Sequence, residues 1–179
     1  MAVVVANVSR SRQNRKLDGA VTLPRVRGDG DGWVVSDTGA RYWGLHGAAG
    51  LLLRAPRADG TPAVLLQHRA WWSHQGGTWG LPGGARDSDE TAEQAALREA
   101  REEAGLPTDR VVVREAVVTA SAVGTGWTYT TVIADADELL PVVPDRESAE
   151  LRWVAADEVA ELPLHPGFAA SWIDLRGFG

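Results

Sequence analysis

The segment from Gly84 to Leu106, GARDSDETAEQAALREAREEAGL, constrains this chain more than any other. Thr91 with Gln94 three positions later is a capping-box pair, so a helix is expected to begin at Ala92. Gly105 supplies its stop, which ends the helix at about Ala104 and makes a rod of roughly 20 Å. Ala92, Ala96 and Ala100 recur every four positions, and Ala95 and Ala104 widen that stripe. One face is therefore small enough to lie close against a sheet. Glu99, Glu102 and Glu103 stand at i, i+3 and i+4 and are expected on one side of the helix. Like charges this close destabilise an isolated helix by ~0.2–0.5 kcal/mol per pair. Arg98 and Arg101 neutralise part of that charge but cannot saturate every oxygen. A hard divalent cation can, and such cations point to phosphate chemistry. Taken alone, Glu-x-x-Glu-Glu reads as a solvated acidic face. Gly84, Glu90, Arg98 and Gly105 at their fixed offsets turn the reading toward a metal cage.

Composition narrows the rest. A chain of 179 residues is long enough for one domain with a substantial core. It contains no Cys, which excludes disulfides, thiolate catalysis, Cys-ligated zinc and iron–sulfur clusters, and which fits a cytoplasmic protein. A formal net charge of -6 disfavours a stable nucleic-acid partner. An acidic protein still takes a polyanionic substrate if metal ions stand between them. No apolar run approaches the roughly 20 residues needed to span a bilayer, so no membrane partner is expected. The apolar start, Met1 to Ala6, is too short for a signal-peptide core, and its basic residues follow it rather than precede it.

Residues 1–32 read as an N-terminal arm, basic at Arg10, Arg12, Arg15 and Lys16, that ends in the turn-rich linker Gly28-Asp29-Gly30-Asp31-Gly32. The linker resembles a calcium loop only superficially, because no Glu follows at the required offset. A single domain is expected over 33–179. Gly47–Leu53 and Ala63–Arg69 are expected to form a hairpin around Asp59-Gly60, with further strands at Val111–Val118, Tyr129–Ile133 and Leu151–Val154. Asp157–Leu162 reads as a helical turn. Phe168–Leu175 reads as a closing helix, with His165-Pro166-Gly167 as its lead-in.

The segment resembles the signature of the Nudix hydrolases: Gly, five residues, Glu, seven residues, Arg-Glu, an apolar residue, any residue, Glu-Glu, any residue, Gly, an apolar residue. Gly84, Glu90, Arg98, Glu99, Ala100, Glu102, Glu103, Gly105 and Leu106 fill every fixed position, and Trp79 with Leu81-Pro82-Gly83-Gly84 matches the common lead-in. One departure lies in the loop, where Asp87-Ser88-Asp89 replaces the frequent Glu-x-Gly. The resemblance extends from about Tyr42 to Trp172.

It implies an α/β fold, an α/β/α sandwich around a mixed β-sheet with the box as a loop–helix–loop beside it. It also implies Mg²⁺ or Mn²⁺ held by Glu99, Glu102 and Glu103, with a backbone carbonyl of Gly83 or Gly84 nearby. Glu102 and Glu103 would share in water activation, and Arg98 is counted with that catalytic set. Glu90 would brace the helix through Arg98, and Gly105 would allow the turn after it. The family often draws a further acid from a late loop ahead of a Trp-containing strand. Glu147 and Glu150 are the candidates upstream of Trp153, with Glu147 preferred.

The implied reaction hydrolyses a nucleoside diphosphate linked to another group. The partner would be a small nucleotide, and the chain a monomer or homodimer. A nucleoside triphosphate, ordinary or oxidised, is favoured over ADP-ribose, a nucleotide sugar or a dinucleoside polyphosphate. The intact acid set argues against a non-catalytic regulator. Substrate contacts are expected from Arg69, at a strand end suited to a phosphate, from His74, from Gly83, and from a Trp that stacks on the base. If Trp71-Trp72 is extended, its two rings point to opposite faces, one into the core and Trp72 toward the site.

Overall fold

The structure is a computed structural model, and residues 28–178 are described. A short hairpin comes first: β1 (Trp33–Val35) pairs antiparallel with β2 (Arg41–Trp43), Trp33 opposite Trp43. Its turn carries Gly39 at φ 81°, a left-handed conformation that suits a residue without Cβ.

The main sheet is built from β3 (Ala48–Pro56), β4 (Pro62–Arg69), β5 (Trp79–Gly80), β6 (Gly83–Ala85), β7 (Val112–Ser121), β8 (Thr128–Asp135) and β9 (Ser148–Ala155). The order β5-β4-β3-β8-β7 contains one parallel pair, β3 with β8, so the sheet is mixed. The expected β3–β4 hairpin forms around Asp59-Gly60, where Asp59 Oδ1 accepts from the Thr61 N–H at 2.9 Å. β3 and β4 pair only at Arg54–Pro56 with Pro62–Val64. They then separate: β6 takes over Ala48–Gly50 of β3, and β9 takes β4 as far as Arg69. This opening in the sheet is where the acidic helix meets the glycine strand.

That helix, α1, spans Ala92–Ala104. Both halves of the capping box are present: Thr91 Oγ1 accepts from the Gln94 N–H at 3.2 Å, and Gln94 Oε1 accepts from the Thr91 N–H at 2.8 Å. Gly105 closes the helix in the left-handed region at φ 60°. The alanine stripe works as its spacing implies, because Ala95, Ala96, Ala100 and Ala104 are buried against Leu51, Leu53, Leu65 and Val132. Alternate residues of the same strands, Leu52, Leu66 and Ile133, face the other way and meet Phe168, Trp172 and Leu175 of α2 (Pro166–Leu175). Helices thus cover both faces of a mixed sheet, the α/β/α sandwich expected. The helical turn near 157–162 is a single 3₁₀ turn at Val159–Glu161. Among the described residues, no helix is long and apolar enough to cross a membrane.

Candidate active site

The box helix carries its acids in two environments. Glu99 and Glu103 are 1% and 4% exposed, turned toward the sheet, whereas Glu102 lies at the exposed rim. The three acids therefore lie at different depths on that side of the helix. Positions i and i+4 stack within about 40° of each other on a 3.6-residue helix, but i+3 falls to the flank of that pair.

Arg98 ties the set together. Its Nε donates to Glu90 Oε1 at 2.6 Å and its Nη2 to Glu90 Oε2 at 2.8 Å, a bidentate pair. Its Nη1 donates to Glu99 Oε1 at 2.8 Å and lies 3.6 Å from Glu102. A further bond from Nη2 reaches the Ala85 carbonyl at 3.0 Å, which fixes helix to strand β6. The Arg98 hydrogen bonds hold the Glu90 carboxyl below its usual range, against the opposing effect of burial.

Glu103 is pushed the other way. Burial raises its carboxyl to about 8, Glu99, Asp145 and Glu147 add repulsion, and only the Gly83 N–H, which donates to Glu103 Oε2 at 3.0 Å, opposes them. Gly83 and Gly84 have no room for side chains here. A Cβ on Gly83 would run into the Ala49 carbonyl of β3, and one on Gly84 would stand 2.5 Å from Glu99 Oε1.

The donor set is chemically suited to a hard divalent cation: carboxylate oxygens, two of the acids buried, and Glu103 crowded by three other acids. Among the described residues, no three His, Cys, Asp or Glu side chains already close on one point. Glu90, Glu99 and Glu102 are gathered around Arg98, while Glu103 accepts from the Gly83 N–H.

Glu147, the preferred late acid, lies in the loop just ahead of β9. Its charge reaches Glu103, and its carbonyl accepts from the Ala70 N–H at 2.9 Å across a bulge in the β4–β9 pairing. Glu150 is paired with Arg152 on the outer surface, at 2.8 Å. Asp145 is a site residue that the sequence reading missed. It braces the same loop by accepting from the Glu147 N–H at 2.8 Å and the Ser148 hydroxyl at 3.3 Å. Its position two residues before Glu147, after Pro144, is the Asx-turn signal that marks it. Gln67 extends this brace from β4, its amide donating to Ser148 Oγ at 2.9 Å.

The proposed substrate contacts are only partly brought together. Arg69 Nε donates to the His74 carbonyl at 3.0 Å, which folds the 70–78 loop back on the strand end. The His74 ring lies 5.6 Å from Trp33 and 6.4 Å from His165, so the β1–β2 hairpin borders this approach. The hairpin was absent from the sequence reading. Its signal was two short β-branched and aromatic runs around Ser36-Asp37-Thr38-Gly39.

Trp79 is buried and stacked on His68 at 4.7 Å, with Arg152 over its ring, so it serves packing. Trp71-Trp72 is not extended. The segment is a run of turns, and both rings are outside the core, 85% and 54% exposed. The turns arise because the chain must reverse between β4 and β5, with Gln75 and Gly77 both at positive φ. Neither Trp71→Ala nor Trp72→Ala should therefore change unfolding free energy by more than ~0.5 kcal/mol. Urea denaturation of each variant checks this. A loss of ~3–5 kcal/mol, the size of a core truncation, would refute the exposed placement.

Comparison with known proteins accounts for this arrangement. The family model described as NUDIX domain matches residues 44–175. A Mycobacterium tuberculosis protein provisionally named 8-oxo-dGTP diphosphatase 3 is 76% identical over 155 residues, which cover 85% of this chain and 71% of that protein. The crystal structure of RenU, a Nudix hydrolase from M. smegmatis, superposes with a TM-score of 0.79 at 70% identity, covering 82% of this chain and 93% of that one. A C. elegans Ap4A hydrolase shares the fold alone, with a TM-score of 0.59 at 21% identity over 73% of this chain and 95% of its own. A box helix on a split mixed sheet, matched over most of its length by the family model and by these relatives, makes this chain a member of the Nudix hydrolase family.

Proposed function

We propose that this protein hydrolyses an oxidised purine nucleoside triphosphate, 8-oxo-dGTP, to the monophosphate and diphosphate, with Mg²⁺ or Mn²⁺ as cofactor. The observation that carries the chemistry is Glu103, a buried carboxylate on the box helix crowded by Glu99, Asp145 and Glu147. The substrate follows the name of the 76%-identical relative.

Glu99, Glu102 and Glu103 would hold the cation, joined by a backbone carbonyl of Gly83 or Gly84. When bound, the cation offsets diphosphate charge and lowers the pKa of the attacking water. Glu90 and Arg98 keep the helix and glycine strand in register. A carboxylate of the set, with Glu147 at its edge, takes the proton of the water. The water oxygen forms a new bond to one phosphorus. The bond from that phosphorus to the bridging oxygen breaks, and diphosphate leaves. Arg69 would grip the polyphosphate, and His74 and Trp72 would border the nucleoside.

A panel of nucleotides assayed separately for diphosphate and orthophosphate release tests the reading. The expected outcome is diphosphate from 8-oxo-dGTP, with kcat/KM at least ~10-fold above that for dGTP, about 1.4 kcal/mol of discrimination. Faster turnover of ADP-ribose, a nucleotide sugar or a dinucleoside polyphosphate than of 8-oxo-dGTP would replace the substrate while leaving the chemistry in place.

A further inference from the structure

The stretch Gly28–Gly32 lies ahead of the matched Nudix region, and it is docked on the loop that leads into α1. Asp29 accepts twice from Ser88, from the N–H at 2.9 Å and from the hydroxyl at 2.5 Å. The Gly30 N–H donates to Asp87 Oδ1 at 2.9 Å. On its other side the stretch is pinned by Gly44 and Leu45, whose N–H groups each donate at 2.8 Å to the carbonyls of Gly32 and Gly30.

The stretch turns at Asp29-Gly30, where the Asp31 N–H donates to the Gly28 carbonyl at 3.3 Å, and its glycines also allow close approach. A Cβ on Gly28 would collide with the Asp87 carboxylate, one on Gly30 with the Arg86 carbonyl, and one on Gly32 would stand 2.8 Å from Leu45. The contact continues inward. The Asp87 N–H donates to Glu90 Oε2 at 3.1 Å, Glu90 grips Arg98, and Arg98 meets Glu99 and Glu102. Gly28 and Asp31 also line, with Asp87, Arg98, Glu99 and Glu102, a cavity of about 60 Å³.

We propose that Gly28–Gly32 is a positioning element for the catalytic loop, acting on the metal carboxylates through Ser88, Asp87, Glu90 and Arg98. It gives the unusual loop Asp87-Ser88-Asp89 its purpose. The short Asp87 side chain reaches the Gly30 N–H at 2.9 Å, and Ser88 supplies two donors to Asp29, its N–H and its hydroxyl. Positioning groups behind metal ligands typically change metal affinity or turnover by ~10–100-fold when removed. The inference rests on the metal-dependent reading proposed above.

The test uses the full chain and two readouts: Mn²⁺ binding by calorimetry without substrate, and kcat and KM for 8-oxo-dGTP. Asp29→Ala and Gly30→Ala are each expected to weaken Mn²⁺ binding and lower kcat by ~10-fold, with KM for the nucleotide changed less than ~2-fold. Asp29 is exposed, so its truncation leaves the core intact if Gly30→Ala does not fold. Ser88→Ala removes the hydroxyl bond but keeps the Ser88 N–H bonded to Asp29, so its loss should be smaller than that of Asp29→Ala, and the double variant should be no worse than Asp29→Ala, which already lacks both bonds. Asp29→Asn, which keeps an acceptor for the Ser88 N–H, should recover most of the loss. Unchanged Mn²⁺ affinity in Asp29→Ala, or additive losses that track a falling Tm, would overturn the inference and leave the activity reading standing. A wild-type chain that neither binds Mn²⁺ nor hydrolyses nucleotide would remove both.

Discussion

Stripping divalent cations with EDTA should bring nucleotide hydrolysis to background, and added Mg²⁺ or Mn²⁺ should restore it. The expectation comes from charge. Glu99 and Glu103 are buried side by side, Asp145 and Glu147 add to the crowding at Glu103, and the Arg98 guanidinium is already engaged with Glu90 and Glu99. A polyphosphate brought to this acidic pocket without cations would be repelled. Titrating each metal back into chelated enzyme and following diphosphate release gives the measurement. Full turnover after exhaustive chelation, verified by elemental analysis, would sink the proposed mechanism.

Glu103→Gln should lower kcat by ~10²-fold or more, in line with loss of a metal ligand or of general-base assistance. Shape is nearly preserved, and the amide oxygen can still accept from the Gly83 N–H. The same variant should make the metal-free protein more stable at alkaline pH. Burial lets Glu103 in the folded chain hold its proton to about 8, above the ordinary glutamate value of 4.5. The folded state therefore binds a proton that the unfolded chain releases between those two values. Stability contributed by that proton is complete below the lower value, is lost as pH rises, and is gone above about 8. Glutamine has no proton to lose, so the gap between variant and wild type should widen from pH 5 to pH 9, where a difference of several degrees in Tm is expected, of the order that ~1 kcal/mol produces in a domain of this size. Thermal unfolding in EDTA across that range checks the sign. A gap that stays constant with pH would show that Glu103 is not the titrating group, and an unchanged kcat/KM would end its catalytic role.

The placement of Trp71 and Trp72 shows where reading by local pattern fails. An extended dipeptide would have sent one ring inward, but the chain has to reverse between β4 and β5 within a few residues. The Arg69–His74 hydrogen bond closes that reversal, and both rings stay outside. The β1–β2 hairpin went unseen for a related reason. Strands of three residues carry too little periodicity to stand out, and they form because Trp33, Trp43 and His74 pack together across the fold.

The sequence by itself determined the box helix. Its caps, its alanine stripe and its acids are encoded within 23 consecutive residues, and helical geometry relates them without help from the rest of the chain. The main strands were legible as short continuous apolar runs bounded by turn residues, because both faces of the sheet are covered. Only the tertiary structure decided which acids are buried and which stands at the rim, because that depends on how far β3 and β4 part and on β6 filling the gap. It also brought Asp145 and Glu147 to Glu103, from a loop some 40 residues along the chain, through the bulge that joins β9 to β4. The glycine-rich stretch ahead of the matched Nudix region was legible as a turn but not as a brace. Its contacts with Asp87 and Ser88 span 57 and 59 positions, and no local pattern records a partner that far away.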